Sequence, residues 1–335
     1  MKKIRIAQVG TMHDHASETL RSLLNLNQYY EVVGMAEPEQ IGFSRADIGV
    51  FAKVPHYTVE ELLNMDDLDA VAIETQEESA TEYAQMFAEK GVHIHLDKPG
   101  SQNRESFTRL IDTIKAKNTV FQQGYMYRYN PIIMDAVSRA KNGELGDIYS
   151  IEAQMSVHHP KAKKEWLKKY KGGMMYFLGC HLVDLVLQIQ GQPKEIINLN
   201  TCTGQDGVTD SEDYGCVIFK YNNGSSIIKS CAAEVGGVNR RQLVIQGTKG
   251  TIEIKPLEVY PDESTEIQTF WKEAMLCDEV MPFRDTYETK ASGRFDRYDT
   301  MMTEFARYIL KEKENPYSYE YEQEVFDLLM RCCGI

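Results

Sequence analysis

Over its first 125 residues the chain alternates apolar strand-like runs with amphipathic stretches at helical spacing. That alternation constrains the fold more than any other feature. KIRIAQVG, YEVVGMAE, LDAVAIET, VHIHLDKP and TVFQQGY carry the strand signal. SETLRSLLNL, TVEELLNM (opened by Thr58), SATEYAQMFAEKG (closed by Gly91) and SFTRLIDTIKAKN carry the helical one. Repeated strand–helix units of this length predict a parallel, doubly wound sheet and an α/β class.

Beyond residue 125 the pattern changes. NPIIMDAVSRAKNGELG reads as a helix, and then strand signals follow without regular helices between them: DIYSIEAQMSV, EIINLNTCT, DYGCVIFKY, GSSIIKSCAAEV, RQLVIQG and GTIEIK. Asn223-Gly224 and GTKG supply tight turns. MMYFLGCHLVDLVLQIQG interrupts them as one long helix. The second domain is therefore expected to be α+β, with a large, open, mostly antiparallel sheet. Residues 256 to 296 carry no regular signal, and two helices close the chain from about 297. A chain of 335 residues exceeds one ordinary core, so the expected division is 1–124 and 125–335, with packing of the C-terminal helices back on the first domain left open.

The net charge of -13 argues against nucleic acid or an anionic membrane as partner, because both require a basic face. No apolar run approaches the length of a membrane span. Lys2, Lys3 and Arg5 precede an apolar stretch broken by Gln8, which reads as a first strand and not as a signal peptide. A cytoplasmic location is expected. The seven cysteines form no CxxC pair, so neither a disulfide framework nor a metal site is expected from them.

The chemistry starts at the turn after the first strand, GTMHDH. A dinucleotide fingerprint has glycine at three positions; here they hold Gly10, Met12 and His15. The strand–turn–helix context still aims a helix N-terminus at the strand end. Asp14 opposes a phosphate there and His13 offsets it. A loop that holds a cofactor and a loop whose His13-Asp14-His15 merely caps a helix stand level on this stretch. No metal is expected, since three adjacent residues cannot all converge on one ion. Glu37 ends the second strand, where an acidic residue holds the ribose diol of NAD and disfavours the extra phosphate of NADP. Lys98 follows a strand end, where open α/β sheets bind ligands. Downstream, His181 and Asp184 share one helix face. Each has a plain structural reading, a surface lysine and a satisfied core pair. Together they suit hydride transfer: the imidazole takes a hydroxyl proton, and the ammonium steadies the alkoxide.

The order and spacing of five segments resemble the Gfo/Idh/MocA oxidoreductases (glucose-fructose oxidoreductase and inositol dehydrogenase) over essentially the whole chain. LDKPGS is similar to their E-K-P signature with Asp97 in place of Glu, and GYMYRYNP to their G-Y-x-x-R-F-x-P. GELGDIYSI, GGMMYFLGCHLVDLV and VIQGTKGTIEI complete the set. The resemblance implies a Rossmann domain followed by an α/β domain whose open sheet packs in homodimers or homotetramers, NAD or NADP as cofactor, and a sugar or cyclitol substrate. It implies catalytic roles for Lys98 and His181, substrate contact for Asp184, and positions near cofactor or substrate for Tyr127, Arg128 and Asn130. Gly10, Met12, His13, Glu37, Thr75, Gln76, Asp97 and Lys98 would line the cofactor. Thr75-Gln76-Glu77 replaces the family's T-P-N, and Phe177 replaces an Asp four residues before the His, so His181 would work without that partner, oriented by Asp184 or by the substrate. Phe177 would instead pack on a sugar ring. In SVHHPKAKKEWLKKYKGG, a solvated insertion and a lid presenting Trp166 as a sugar platform are equally open. The expected activity is NAD-dependent oxidation or reduction at a secondary hydroxyl. A non-catalytic nucleotide or sugar sensor, and an elimination assisted by bound NAD, are the alternatives.

Overall fold

The computed structural model describes residues 2–39, 45–276 and 288–335. The chain divides into two compact units, 1–126 with 297–324, and 127–296 with 325–335.

In the first unit, β1 (Ile4–Val9), α1 (Ala16–Asn25), β2 (Tyr30–Ala36), β3 (His56–Tyr57), α2 (Val59–Leu63), β4 (Ala70–Ile73), α3 (Ala80–Glu89), β5 (His93–Leu96), α4 (Arg104–Lys117) and β6 (Phe121–Gln123) follow one another. The sheet runs β3-β2-β1-β4-β5-β6 with every pair parallel. This is the strand order of a dinucleotide-binding fold, and it reverses between β1 and β4, so a crevice opens at their carboxyl ends. All four residues of β4 are buried, as a parallel sheet covered on both faces requires. Thr58 and Glu61 form a reciprocal capping box on α2. Gly10 ends β1 with φ +93°, and a Cβ there would lie 2.6 Å from the Thr75 amide nitrogen and 2.8 Å from the Glu74 carbonyl carbon. Gly10→Ala therefore combines a left-handed backbone with a backbone clash. It is expected to cost at least about 1–3 kcal/mol, read as a lowered denaturant midpoint.

The second unit opens with α5 (Pro131–Lys141). Asn130 caps it by accepting from the amides of Ile132 and Ile133, and Pro131 suits the first turn. Then come β7 (Ile148–Gln154), α6 (Lys161–Leu167), α7 (Cys180–Gln190), β8 (Glu195–Asn198), β9 (Tyr214–Tyr221), β10 (Gly224–Cys231), β11 (Gln242–Gly247), β12 (Gly250–Ile254), β13 (Glu266–Ile267), β14 (Phe270–Met275), β15 (Lys290–Ala291) and β16 (Phe295–Asp296). Eight strands form one sheet in the order β15-β14-β12-β11-β7-β10-β9-β8. Only the β7–β10 pair is parallel among its described pairings. α7 packs on β7 and β10.

One expectation needs correction. The region 256–296 is not uniformly irregular: β14 extends the large sheet, although residues 277–287 lie outside the described residues. Its residues are half-buried without a two-residue alternation, so no strand period is visible. The tail, whose packing the sequence leaves open, divides between the units. α8 (Arg297–Ile309) belongs to the first unit, where the Met302 carbonyl accepts from the Tyr30 hydroxyl at 2.5 Å and the Met301 carbonyl from the Gln122 amide at 3.2 Å. α9 (Tyr319–Cys333) begins in the first unit and ends in the second. Among the described residues no helix is long and apolar enough to cross a membrane.

Candidate functional site

In the first unit the ends of β1, β4 and β5 bring ionisable groups together. His13, Glu74, Asp97 and Lys98 are all buried. The Lys98 amide donates to Asp97 Oδ1 at 2.6 Å. His13 Nε2 lies 3.1 Å from the Lys98 carbonyl oxygen, so this nitrogen carries the proton and donates. The other nitrogen, Nδ1, lies 3.0 Å from Asp97 Oδ2 and 3.4 Å from Glu74 Oε2. His15 Nδ1 is 3.0 Å from the same Asp97 oxygen. Gly124 makes the fit possible, because a Cβ there would stand 2.5 Å from Asp97 Oδ1.

Burial and charge pull these groups apart in pKa. Burial lowers the His13 pKa, but the Asp97 carboxylate beside it, by charge and hydrogen bond, together with the nearby Glu74 carboxyl, outweighs burial and holds the imidazole well above its usual value. Burial dominates at His15 and lowers it to about 4, with Asp97 opposing. Asp97 is raised by burial but more strongly lowered by His13 and His15, so it stays ionised. Glu74 is pushed up to about 8, by burial first and then by the Asp97 charge.

A dinucleotide is tested against these residues on three observations. Glu37 stands at the end of β2, accepting from the Thr11 hydroxyl and, at 2.9 Å, from the Glu39 amide. It rims a cleft of about 800 Å³ with Met35, Ala36, His56, Tyr57 and Tyr83, a size and lining that fit an adenosine half. Among the described residues the Thr11 and Met12 amides donate no hydrogen bond within the chain, which leaves two donors for phosphate oxygens beside the Gly10 turn. The binding half therefore fits. Thr75 closes against Gly10, and the Gln76 amide donates to Glu39. His13 and Asp97, expected to line the cofactor, face each other at 3.0 Å. Arg45 was missed by the sequence reading: it donates to the Thr11 carbonyl at 3.0 Å, putting a guanidinium near the rim that Glu37 occupies.

In the second unit the expected residues occur in pairs. The rings of Tyr127 and His181 meet edge to face at 5.0 Å, both buried. Arg128 grips Asp184 in a two-pronged ion pair, Nε to Oδ2 at 3.0 Å and Nη2 to Oδ1 at 2.8 Å, and Gln188 donates to Oδ2 at 2.9 Å. Asp184 is fully buried, and its carboxylate holds the Arg128 guanidinium in place. Phe177 lies on a π-helical turn, Met175–Gly179, directly before α7. Such turns recur beside functional sites. Its ring packs with Leu167, Met174 and Ala232, and Trp166 meets it at 5.4 Å. With 4% exposed, Phe177 is core packing and not an open sugar-stacking face. The basic segment before it is part packed and part solvated, with Lys161, Lys168, Lys169 and Lys171 exposed. Lys164 on α6 is buried, with Nζ 2.7 Å from Asp206 Oδ2. Lys163 Nζ stands 3.7 Å above Trp166, covering one face of the proposed platform. Arg241 and Glu258, a buried ion pair beside the Tyr127 hydroxyl, left no short-range sequence signal.

Comparison with known proteins agrees with this architecture. Residues 4–125 match the family described as "Oxidoreductase family, NAD-binding Rossmann fold", and residues 133–253 match the "GFO/IDH/MocA C-terminal domain". The chain is 23% identical over 199 residues to the oxidoreductase YhhX of Escherichia coli, 58% of this chain and 56% of that protein. It is 21% identical over 255 residues to a myo-inositol 2-dehydrogenase of Thermotoga maritima, 74% of this chain and 73% of that one. A solved 3-ketoreductase from Actinomadura kijaniata, in complex with TDP-benzene and NADP, superposes with a TM-score of 0.75 at 16% identity, over 98% of this chain and 96% of that chain. Rossmann strand order, mixed eight-stranded sheet and two matched domains make the chain a member of the Gfo/Idh/MocA family of oxidoreductases.

Proposed function

We propose that this protein moves a hydride between a nicotinamide dinucleotide and a secondary hydroxyl of a sugar, glycoside or cyclitol, with NAD preferred over NADP. The observation that carries the reading is Glu37 at the end of β2, rimming the cleft beside the Gly10 turn. The myo-inositol 2-dehydrogenase relative supports the substrate class. The bound nicotinamide supplies the hydride acceptor or donor. Lys98 polarises the substrate oxygen and His181 holds the departing proton; each is buried within its own unit. Self-association through the large open sheet belongs to the same proposal, and light scattering tests it.

Denaturing the purified protein and identifying any released nucleotide tests the cofactor, and a screen of sugars and cyclitols at the nicotinamide absorbance tests the reaction. NAD is expected to bind more tightly than NADP. Glu37→Ala should weaken NAD about 10- to 100-fold, the worth of hydrogen bonds to a charged acceptor, and narrow the preference. Equal or tighter NADP binding by the parent, with Arg45 as its partner, overturns the choice of NAD.

A second reading has its own support. His15 and Met12 fill two glycine positions, and Phe177 is locked in packing. Stoichiometric nucleotide binding with no sugar turned over would favour a sensor.

A further inference from the structure

We propose that His13, His15 and Asp97 form a binding site for a divalent first-row transition ion, with Glu74 as a fourth ligand, at the carboxyl ends of β1, β4 and β5.

Three observations carry it. First, the donor atoms converge: one ligand atom from each of His13, His15 and Asp97 lies within 4.8 Å of the others. The two imidazole–carboxylate separations are 3.0 Å. Zinc–nitrogen bonds of about 2.0–2.1 Å give tetrahedral edges of about 3.3 Å, so these two edges need open by only a few tenths of an ångström. Second, the surroundings hold the ligands as metal sites do. A ligating histidine almost always donates its other ring N–H to a carbonyl or carboxylate. His13 Nε2 is 3.1 Å from the Lys98 carbonyl, and Nδ1, which accepts from the His15 amide at 3.2 Å, stands 3.0 Å from Asp97 Oδ2 and 3.4 Å from Glu74 Oε2. The Lys98 amide likewise fixes Asp97 Oδ1 and leaves Oδ2 for the ion. Third, Glu74 is fully buried and neither of its carboxylate oxygens is hydrogen-bonded, while Oε2 stands 3.4 Å from His13 Nδ1. Two carboxylates and two neutral imidazoles balance the charge of a divalent ion, the condition under which buried carboxylates are tolerated. Nitrogen and oxygen donors without thiolate suit zinc, cobalt, iron or manganese more than copper(I).

The ligands span three strand ends of one sheet, so the ion would pin the loop whose fingerprint glycines are Met12 and His15. This site does not depend on the dinucleotide reading.

The experiment uses the full chain, stripped with chelator and titrated with Zn²⁺ and Co²⁺ by calorimetry and absorption. One equivalent per chain is expected, with visible ligand-field bands from Co²⁺ and a raised melting temperature. His15→Ala and Asp97→Asn should each weaken binding by at least about 10- to 100-fold, the cost of disturbing an outer-shell partner alone. His158→Ala, in the other unit, should leave it unchanged. X-ray absorption of the parent zinc form keeps the test decisive if a variant misfolds: nitrogen and oxygen at about 2.0–2.1 Å with imidazole outer-shell scattering is expected. No stoichiometric binding by the folded parent, a sulfur-containing shell, or undiminished affinity in both variants overturns the proposal.

Discussion

Lys98→Met is expected to lower turnover on the sugar or cyclitol substrate by about two to three orders of magnitude, the usual cost of removing a charge that stabilises a developing oxyanion. Dinucleotide affinity should stay nearly unchanged, because the proposed adenosine cleft is lined by β2, β3, α2, α3 and their loops and not by Lys98. Methionine keeps the apolar stem in a position that is 1% exposed and deletes only the ammonium. The backbone of residue 98 still donates to Asp97 and accepts from His13, so the local fold should survive. His181→Ala should cost about 10²- to 10⁴-fold, as loss of a general base does, and Tyr127 then loses its edge-to-face partner. Steady-state kinetics with the melting temperature as control measure both. Intact turnover in Lys98→Met overturns the assigned chemistry.

Much of the first unit was legible because its strands are short apolar runs between amphipathic helices. β1, β2, β4, β5 and β6 coincide with those runs. β3 is two residues long and too short for any period. The functional residues were legible as types but not as partners. His13, Asp14 and His15 are neighbours in one loop and cannot all converge on one ion, whereas Asp97 reaches His13 and His15 from the end of β5, 82 residues after His15. Glu74 gave a usable signal, an acidic residue at the end of the apolar β4. Arg128 and Asp184 were both singled out, yet their pairing spans 56 positions and depends on the packing of the second unit. Gln188, one helical turn beyond Asp184, was within reach of the four-residue spacing rule. Phe177 was read from its chemistry towards a sugar. Its fate was decided instead by Trp166 and Leu167 on α6, whose docking the sequence does not encode locally.

Asp184→Ala separates a packing role from a substrate-contact role. The carboxylate is fully buried and both its oxygens meet the Arg128 guanidinium, itself buried. Removing one partner of such a pair strands a charge away from water, at about 3–5 kcal/mol. For a unit of this size that lowers the melting temperature by roughly 6–20 °C. The stranded charge, not the lost contact, causes the loss, so the double variant Arg128→Met, Asp184→Leu should recover most of it. Gln188 would then lose an acceptor, but its side chain is only part-buried and can turn to water. A substrate ligand behaves in the opposite way: KM rises, the denaturation midpoint holds, and deleting Arg128 as well brings no recovery. Urea titration of the two single variants and the double variant reads the difference directly. A midpoint for Asp184→Ala within error of the parent would return Asp184 to the substrate.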